Sequence, residues 1–424
     1  MLPLLVSVHL LPQKYQEKTF AEWGKNFGGL VFAKLFRTSA TIINSYEIAR
    51  DLMEKRSANY SDRPHFIVLI EFYVGHFSPL QKLTHWPLGW DGEILSPPCY
   101  MGALDGYLEI QRREVNVFLS NVLLNLDAWS LHLTRFSGSI ILDITYGHQA
   151  TSDDDKFIAI AERAGKATVT AGSPGFMLVD FFPIMKLIPS WCPGGGFKTQ
   201  AVKAGTARPS FTSNLIEELD CDGKLTNEDK ENIKGVAATI CVAGTETVPT
   251  VMTTFVLAMV RHPEIYRKLQ EELDGVVGNE RLPDLNDREA LSYTECVIKE
   301  TYRWQAPLPL GLPHSTLTRD IYSEYYIPEK AMVIPNIWAM SQNEGMYNDP
   351  AEFHPERFVD DAQLDPKKIV LGFGRRQCLG NDLAGRSIFL LVTGMAATLD
   401  ISKAKDSNGL EITPPLSFTS GIVR

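Results

Sequence analysis

Residues 372 to 380 read Gly-Phe-Gly-Arg-Arg-Gln-Cys-Leu-Gly, "GFGRRQCLG", and how that one cysteine is read decides how the rest of the chain is read. Cys378 stands beside Arg375 and Arg376, directly ahead of a helical run. The N-terminal turn of a helix favours negative charge through its dipole and its free N–H groups, so all three neighbours favour a thiolate. Gly374 and Gly380 permit a tight turn that aims backbone N–H groups at the sulfur. A thiolate held in that way suits a soft or borderline metal, and no partner Cys or His stands at zinc spacing. One thiolate is enough for haem iron. Metal ligand, nucleophile and bystander are the alternatives for such a residue, and the remainder of the chain has to choose between them.

A chain of 424 residues with 44% hydrophobic content can bury a large core, and nothing in it points to a repeat array or a disordered tract. The formal charge of -10 comes from acids spread along the chain, which argues against nucleic acid as a partner. The cysteines Cys99, Cys192, Cys221, Cys241, Cys296 and Cys378 form no Cys-x-x-Cys pair and lack the density of a disulfide scaffold, so a reducing compartment is expected. Cys192, Cys241 and Cys296 read as small apolar core residues. The opening "MLPLLVSVHLLP" is apolar, but Pro3, His9 and Pro12 leave it short of the roughly 20 residues of a membrane helix, so no span is expected.

"QKYQEKTFAEWGKNFG" reads as an amphipathic helix, "LVFAKLF" and "ATIINS" as two strands, and "YEIARDLMEKRSANYS" as a further helix. Prolines and glycines from 77 to 105 predict loop, with helices resuming around Tyr107. Residues 226 to 262 form the longest helical pattern, opened by Thr226-Asn227-Glu228-Asp229 and closed near Arg261-His262-Pro263. At 1.5 Å per residue it spans about 50 Å, and its apolar middle, "GVAATICVAG", predicts passage through the core. "PEIYRKLQEELDGVV" and "LSYTECVIKETYRWQ" read as two more helices. "IYSEYYIPEKAMVIPNIWAM" reads as short strands around a turn at Pro328, and a last helix runs from about Leu379 to Leu399. The pattern is mainly α with small β-sheets, in a single domain over 1–424.

"GFGRRQCLG" resembles the haem-binding loop of the cytochromes P-450, Phe-x-x-Gly-x-Arg-x-Cys-x-Gly. Gly374, Arg376, Cys378 and Gly380 match, with Leu371 in place of the Phe. Glu300-Thr301-Tyr302-Arg303 resembles the family's Glu-x-x-Arg, and Arg357 of "PAEFHPERF" the third member of its Glu-Arg-Arg set. Glu300 and Arg303, three apart, share a helix face; alone they read as a surface pair of a few tenths of a kcal/mol. With Arg357 the resemblance implies a buried network that locks the cysteine loop. Ala243-Gly244-Thr245-Glu246-Thr247 resembles the oxygen-activation motif of the long central helix, which in that fold lies over the haem.

The resemblance implies haem b as cofactor, with Cys378 as axial iron ligand and Arg376 and His314 as propionate partners. It implies dioxygen as co-substrate, with Thr247 hydrogen-bonding it above Ala243 and Gly244 while Glu246 relays protons. Thr239, Val242, Leu308, Leu310 and Phe418 are implied to line a pocket for a small hydrophobic substrate. Details such as "VIPNIWAM" look most like fungal microsomal members, which implies electrons from an NADPH-dependent reductase docked near Lys367, Lys368 and Arg375. The implied reaction is monooxygenation. A haem-thiolate isomerase or dehydratase, or a non-catalytic relative that binds haem weakly or not at all, are the alternatives.

Several departures from the family pattern shape these expectations. The family's N-terminal membrane helix is missing, so a cytoplasmic or endoplasmic-reticulum-associated protein is expected, and relatives continue past "SGIVR" for a further strand. Between "GWDG" and "QRREV" no Trp-Arg appears, which predicts a deleted helix around 91–106 and a lost haem anchor. Pro249, two residues after Thr247, removes the hydrogen bond to the Thr245 carbonyl and predicts a distorted central helix.

Overall fold

The computed structural model describes residues 12, 14–35, 38–64, 97–171, 226–359, 363–421 and 423. Helix α1 (Gln16–Phe27) leads into an antiparallel pair, β1 (Leu30–Leu35) and β2 (Thr38–Ile43), in register from Leu30 opposite Ile43 to Leu35 opposite Thr38. Helix α2 (Tyr46–Ala49) starts at Ser45, whose hydroxyl accepts from the Ile48 N–H, and runs on as a π-helical turn over Arg50–Lys55 before the short α3 (Ser57–Tyr60). The large helices are α4 (Pro97–Leu124), α5 (Trp129–Tyr146), α6 (Lys156–Ala171), α7 (Asn227–Arg261), α8 (Pro263–Val276) and α9 (Ser292–Trp304). Short strands follow as β3 (His314–Ser315), β4 (Asp320–Tyr322), β5 (Tyr325–Ile327) and β6 (Met332–Pro335), then α10 (Ile337–Ser341), α11 (Lys367–Val370) and α12 (Asn381–Thr398). A final pair, β7 (Ala404–Lys405) and β8 (Glu411–Ile412), closes the described chain.

The four-stranded sheet has the order β1-β2-β6-β3, with β2 and β6 parallel and the other pairs antiparallel. Strand side chains alternate between faces, so Ala40 and Ile42 of β2 and Met332 and Ile334 of β6 share one side, where they bury Phe20 of α1. The β4–β5 hairpin turns at Ser323, whose φ is 53°, and the expected turn at Pro328 leads from β5 into β6, with Lys330 at a φ of 56°.

The helical core is continuous and includes Phe118, Phe136, Met252, Phe255, Val297, Trp304 and Phe389. Helix α7 runs through it, packed against α5, α6, α8, α9 and α12. By length and hydropathy alone, Ile233–Arg261 would pass for a membrane span, with a mean hydropathy of 1.4. Its helical neighbours account for that apolarity. At Gly244 the α5 and α7 backbones come close: a Cβ there would stand 2.4 Å from Ile141 Cδ1, and the Ser137 hydroxyl donates to the Gly244 carbonyl at 2.5 Å.

Helix α4 begins at Pro97, ten residues before the expected resumption of helix around Tyr107. Proline is tolerated in a first helical turn because the N–H it lacks has no partner there, so Pro97 and Pro98 open α4 instead of marking loop. As expected from the sequence, no Trp-Arg pair stands between "GWDG" and "QRREV". The earlier part of the expected loop lies outside the described residues, as do Cys192 and Cys221. Pro249 does not break α7, which continues for 35 residues. Only the bond that a 249 N–H would make to the Thr245 carbonyl is missing.

Candidate active site

Helix α9 supplies the most enclosed polar group in the fold. Glu300 and Arg303 are both 0% exposed, and Arg303 Nε and Nη2 each donate to the Glu300 carboxylate at 2.8 Å. Arg303 Nη1 donates to the carbonyls of Ser341 and Pro350, which ties α9 to the segment after α10. The His354 N–H donates to Glu300 at 2.8 Å, and Arg357 Nε makes a 3.2 Å ion-pair contact with the same carboxylate. A buried charge is tolerated only when paired and hydrogen-bonded, and here every lobe of the carboxylate has a cationic or N–H partner.

From α11 the chain enters the cysteine loop. Gly372 and Gly374 hold φ of 80° and 57°, and Gly374–Arg376 form a single 3-10 turn. The Cys378 N–H donates to the Leu371 carbonyl at 2.8 Å, so position 371 closes the loop through its backbone. A Cβ on Gly374 would lie 2.1 Å from the Met53 carbonyl oxygen, so the turn is seated directly on the π-helical segment Arg50–Lys55. Phe373 is 1% exposed beside Tyr46, ring centroids 6.4 Å apart, and anchors the loop from beneath.

Cys378 is exposed. Desolvation by the protein around it pushes its thiol above the usual value, Asp382 adds to that, and the Gly380 N–H alone pulls the other way. Enclosure together with accessible surface is what a group lining a recess shows. The expected help from the two arginines is not found: Arg375 is exposed and Arg376 Nε donates to the Ser61 carbonyl at 2.8 Å. A coordinated metal would supply the thiolate, since it deprotonates a thiol outright.

Along α7, the partly or fully exposed residues Thr239, Val242, Ala243, Thr247 and Thr250 recur at helical spacing. Their stripe is left uncovered on a helix whose other faces are packed. Thr247 shares it, its hydroxyl donating to the Ala243 carbonyl at 2.9 Å. Gly244 and Glu246 point elsewhere: Gly244 meets α5, and the Glu246 side chain approaches Gly165 of α6, where a Cβ would come within 2.9 Å of its Oε1.

A group that no motif announced lies at the end of α3. Arg63 Nη1 donates to the Leu312 and Pro313 carbonyls at 2.7 and 2.9 Å, beside His314, whose Nδ1 is 2.7 Å from the Tyr60 carbonyl. Burial and the Arg376 charge push Arg63 down to about 9, with Asp62 opposing. Burial, Arg63 and Arg376 together hold His314 well below 6.5, so it is neutral with its proton on Nδ1. Arg63, Arg376 and the neutral His314 thus meet at one corner beside Asp62. That corner fits an incoming carboxylate, and Cys378 fits an iron that needs one soft ligand, so the residues fit a haem.

The remaining pocket expectations divide. Leu308 is partly exposed, but Leu310 is 8% exposed in the cluster under the four-stranded sheet, with Phe20 and Met332, and serves that core. Phe418 stacks edge-on against Trp304 at 6.2 Å and its carbonyl accepts from the Tyr15 hydroxyl, which fastens the end of the described chain to α9 and α1. Both side chains thus pack between elements of the fold. Arg63 was missed because "SDRP" has no distinctive spacing, and only the pairing of Asp62 with Ser315 brings it to His314.

An accessible cysteine on a glycine-seated loop, a buried network buttressing α9, and a basic corner nearby define a haem-thiolate protein. The family model for Cytochrome P450 matches residues 195–420. Cytochrome P450 monooxygenase 176 of Postia placenta is 40% identical over 456 residues, covering 100% of this chain and 86% of that protein. Cytochrome P450 monooxygenase claR of Ampulloclitocybe clavipes is 33% identical, covering 100% and 83%, and cytochrome P450 monooxygenase ple1 of Rhodocybe pseudopiperita 34%, covering 100% and 86%. The chain belongs to the cytochrome P450 family, and it is an oxidoreductase of the haem-thiolate monooxygenase type.

Proposed function

We propose that this chain inserts one atom of dioxygen into an apolar small organic molecule, with electrons delivered by an NADPH-dependent reductase. The observation that carries this reading is the accessible Cys378 on a loop fixed by its own Leu371 bond and by the seat on Met53. Cys378 would be the axial ligand, with Arg376 and His314 beside the propionates and Gly374, Gly380 and Leu371 shaping the turn. Bound haem supplies oxygen activation, which thiolate ligation favours by pushing electron density toward O–O cleavage.

The protein's part is positioning and proton delivery. Thr247 stands on the uncovered stripe of α7, and rotation about χ1 exchanges its bond to the Ala243 carbonyl for one directed into the recess. Glu246, one residue away, lies along α6 and serves as a proton reservoir rather than as a contact group. Thr239, Val242 and Leu308 give the substrate side a mixed apolar and hydroxyl lining. Lys368 and Arg375 are exposed for an acidic partner, whereas Lys367 Nζ lies 6.0 Å from the Tyr302 ring centroid and is partly engaged. A cytoplasmic or endoplasmic-reticulum-associated site of action is consistent with such a partner.

The test is the absorbance spectrum of the purified protein after reduction and carbon monoxide treatment, with haem supplied. A Soret band typical of thiolate-ligated haem is expected; absence of any haem band despite supplementation overturns the reading. NADPH consumption should then require both reductase and substrate.

A further inference from the structure

The turn of α7 that carries Thr247 has an irregular set of hydrogen bonds. In a regular α-helix each carbonyl accepts one N–H from four residues further on. Between Cys241 and Glu246 that pattern is disturbed at most positions. The Thr245, Thr247 and Thr250 hydroxyls bond back to the Cys241, Ala243 and Glu246 carbonyls at 2.6, 2.9 and 2.9 Å, and such second donors loosen and bend a helix. The Thr245 carbonyl has no helical N–H to accept, because Pro249 stands four residues on. Those three hydroxyls belong to α7 and move with it. The Ser137 hydroxyl belongs to α5; its residue is 3% exposed, and it donates to the Gly244 carbonyl at 2.5 Å. It therefore fastens the loosened turn from outside. Gly244 and Thr247, three residues apart, are neighbours on the helix surface, so a tie at one sets the place of the other. Packing alone does not require a hydroxyl here, since Ile141 already meets Gly244 from the same face of α5.

We infer that Ser137 is a positioning residue for Thr247: by holding the Gly244 carbonyl to α5 it keeps the loosened turn in place and presents the Thr247 hydroxyl at a fixed point on the uncovered stripe. This rests on the monooxygenase reading above and adds to it a determinant of oxygen use on a second helix. Ser137 acts through the α7 backbone, without contact to any reacting atom. Small shifts suffice, because a misplacement of about 1 Å in a group that handles a reacting atom can cost about 100-fold in rate. The alternative is that the hydroxyl merely finds an acceptor for a buried donor, with an effect confined to stability.

Two readouts test this, and the first needs no haem. Amide hydrogen exchange along α7 is compared for the haem-free full chain and its Ser137→Ala variant. Exchange should quicken about 3- to 10-fold over residues 245–250, as the loss of one hydrogen bond gives, and stay unchanged over residues 253–261. The second readout, on haem-loaded protein with reductase and substrate, is the share of NADPH electrons that leaves as hydrogen peroxide, dioxygen having taken up two electrons and two protons. Ser137→Ala should raise that share about 3- to 10-fold, and Ser137→Cys, which keeps a weak donor, should raise it less. In a Thr247→Ala background, Ser137→Ala should change it no further. Unaltered exchange, exchange that quickens evenly along the helix, or an equal rise in peroxide with and without Thr247 overturns the assignment. If the unsubstituted chain consumes no NADPH with reductase and substrate, the monooxygenase reading has failed and this assignment with it; a coupled parent with an unmoved Ser137→Ala variant sinks the assignment alone.

Discussion

Glu300→Gln tests the buried network of α9 with almost no change in shape. Glu300 Oε1 accepts from Arg303 Nη2 and from the His354 N–H, while Oε2 accepts from Arg303 Nε and contacts Arg357 Nε. If the Gln oxygen takes the first position, its NH2 faces the Nε groups of both arginines; if it takes the second, the NH2 faces Nη2 and the His354 N–H. Either way donors meet donors. Arg303, fully buried, is also left without a counter-charge. Removing one partner of a buried pair costs about 3–5 kcal/mol, a large share of the 5–15 kcal/mol typical of a folded chain. Urea unfolding of the haem-free protein should show this loss, followed through Trp304, which is 2% exposed and donates to the Ala351 carbonyl. A loss below about 1 kcal/mol would refute the view that this network carries its charge at a cost met only by mutual pairing.

Other outcomes follow from the same geometry. Gly374→Ala meets both a left-handed φ and the Met53 carbonyl, so it should cost more than about 2 kcal/mol and yield protein without haem; normal haem content at purification would contradict the seating described. Gly244→Ala should lower the urea midpoint by about 1–2 kcal/mol in stability and be partly rescued by Ile141→Val, which removes the Cδ1 atom the new methyl would strike; no rescue would exclude that contact. Cys378→Ala should leave the haem-free stability within about 0.5 kcal/mol, since the side chain is exposed, while abolishing the thiolate spectrum; its persistence would mean a different ligand. His314 is depressed below 6.5 in the fold, so the unfolded chain binds the extra proton as pH falls below 6.5. Haem-free stability should therefore drop from pH 7 toward pH 5 by up to about 1.4 kcal/mol per unit from this group and hold level above. His314→Asn should flatten that slope, and an unchanged slope would remove His314 as its source.

The long helix, the Glu300–Arg303 pair and the cysteine loop were legible because each is a local pattern. The polar start signal at Thr226–Asp229 and the stop before Pro263 set the bounds of α7 to within a residue, at Asn227 and Arg261, and spacing of three put Glu300 and Arg303 on one face. Residues 97 to 105 misled for a physical reason: prolines that break a helix interior are harmless in its first turn, and no local signal says which turn is meant. The roles of Leu310 and Phe418 were illegible for a different reason. Each stands in a stretch without periodicity, and its neighbours come from α1, the four-stranded sheet and α9. Charge state was hardest. Two arginines in the sequence beside Cys378 suggested a stabilised thiolate, but a guanidinium reaches far enough to leave its neighbour, and Arg376 is turned to Ser61.

The π-helical turn at Arg50–Lys55 amounts to one residue more than an α-helix would place in the same span. Deleting a single residue there would restore α-helical winding and swing the Met53 carbonyl about 100° around the helix axis, away from its place against Gly374. The chain thus keeps the length gauge for its cysteine loop near its N-terminus, and a one-residue slip in that gauge would be felt at Cys378 without touching the loop's own sequence.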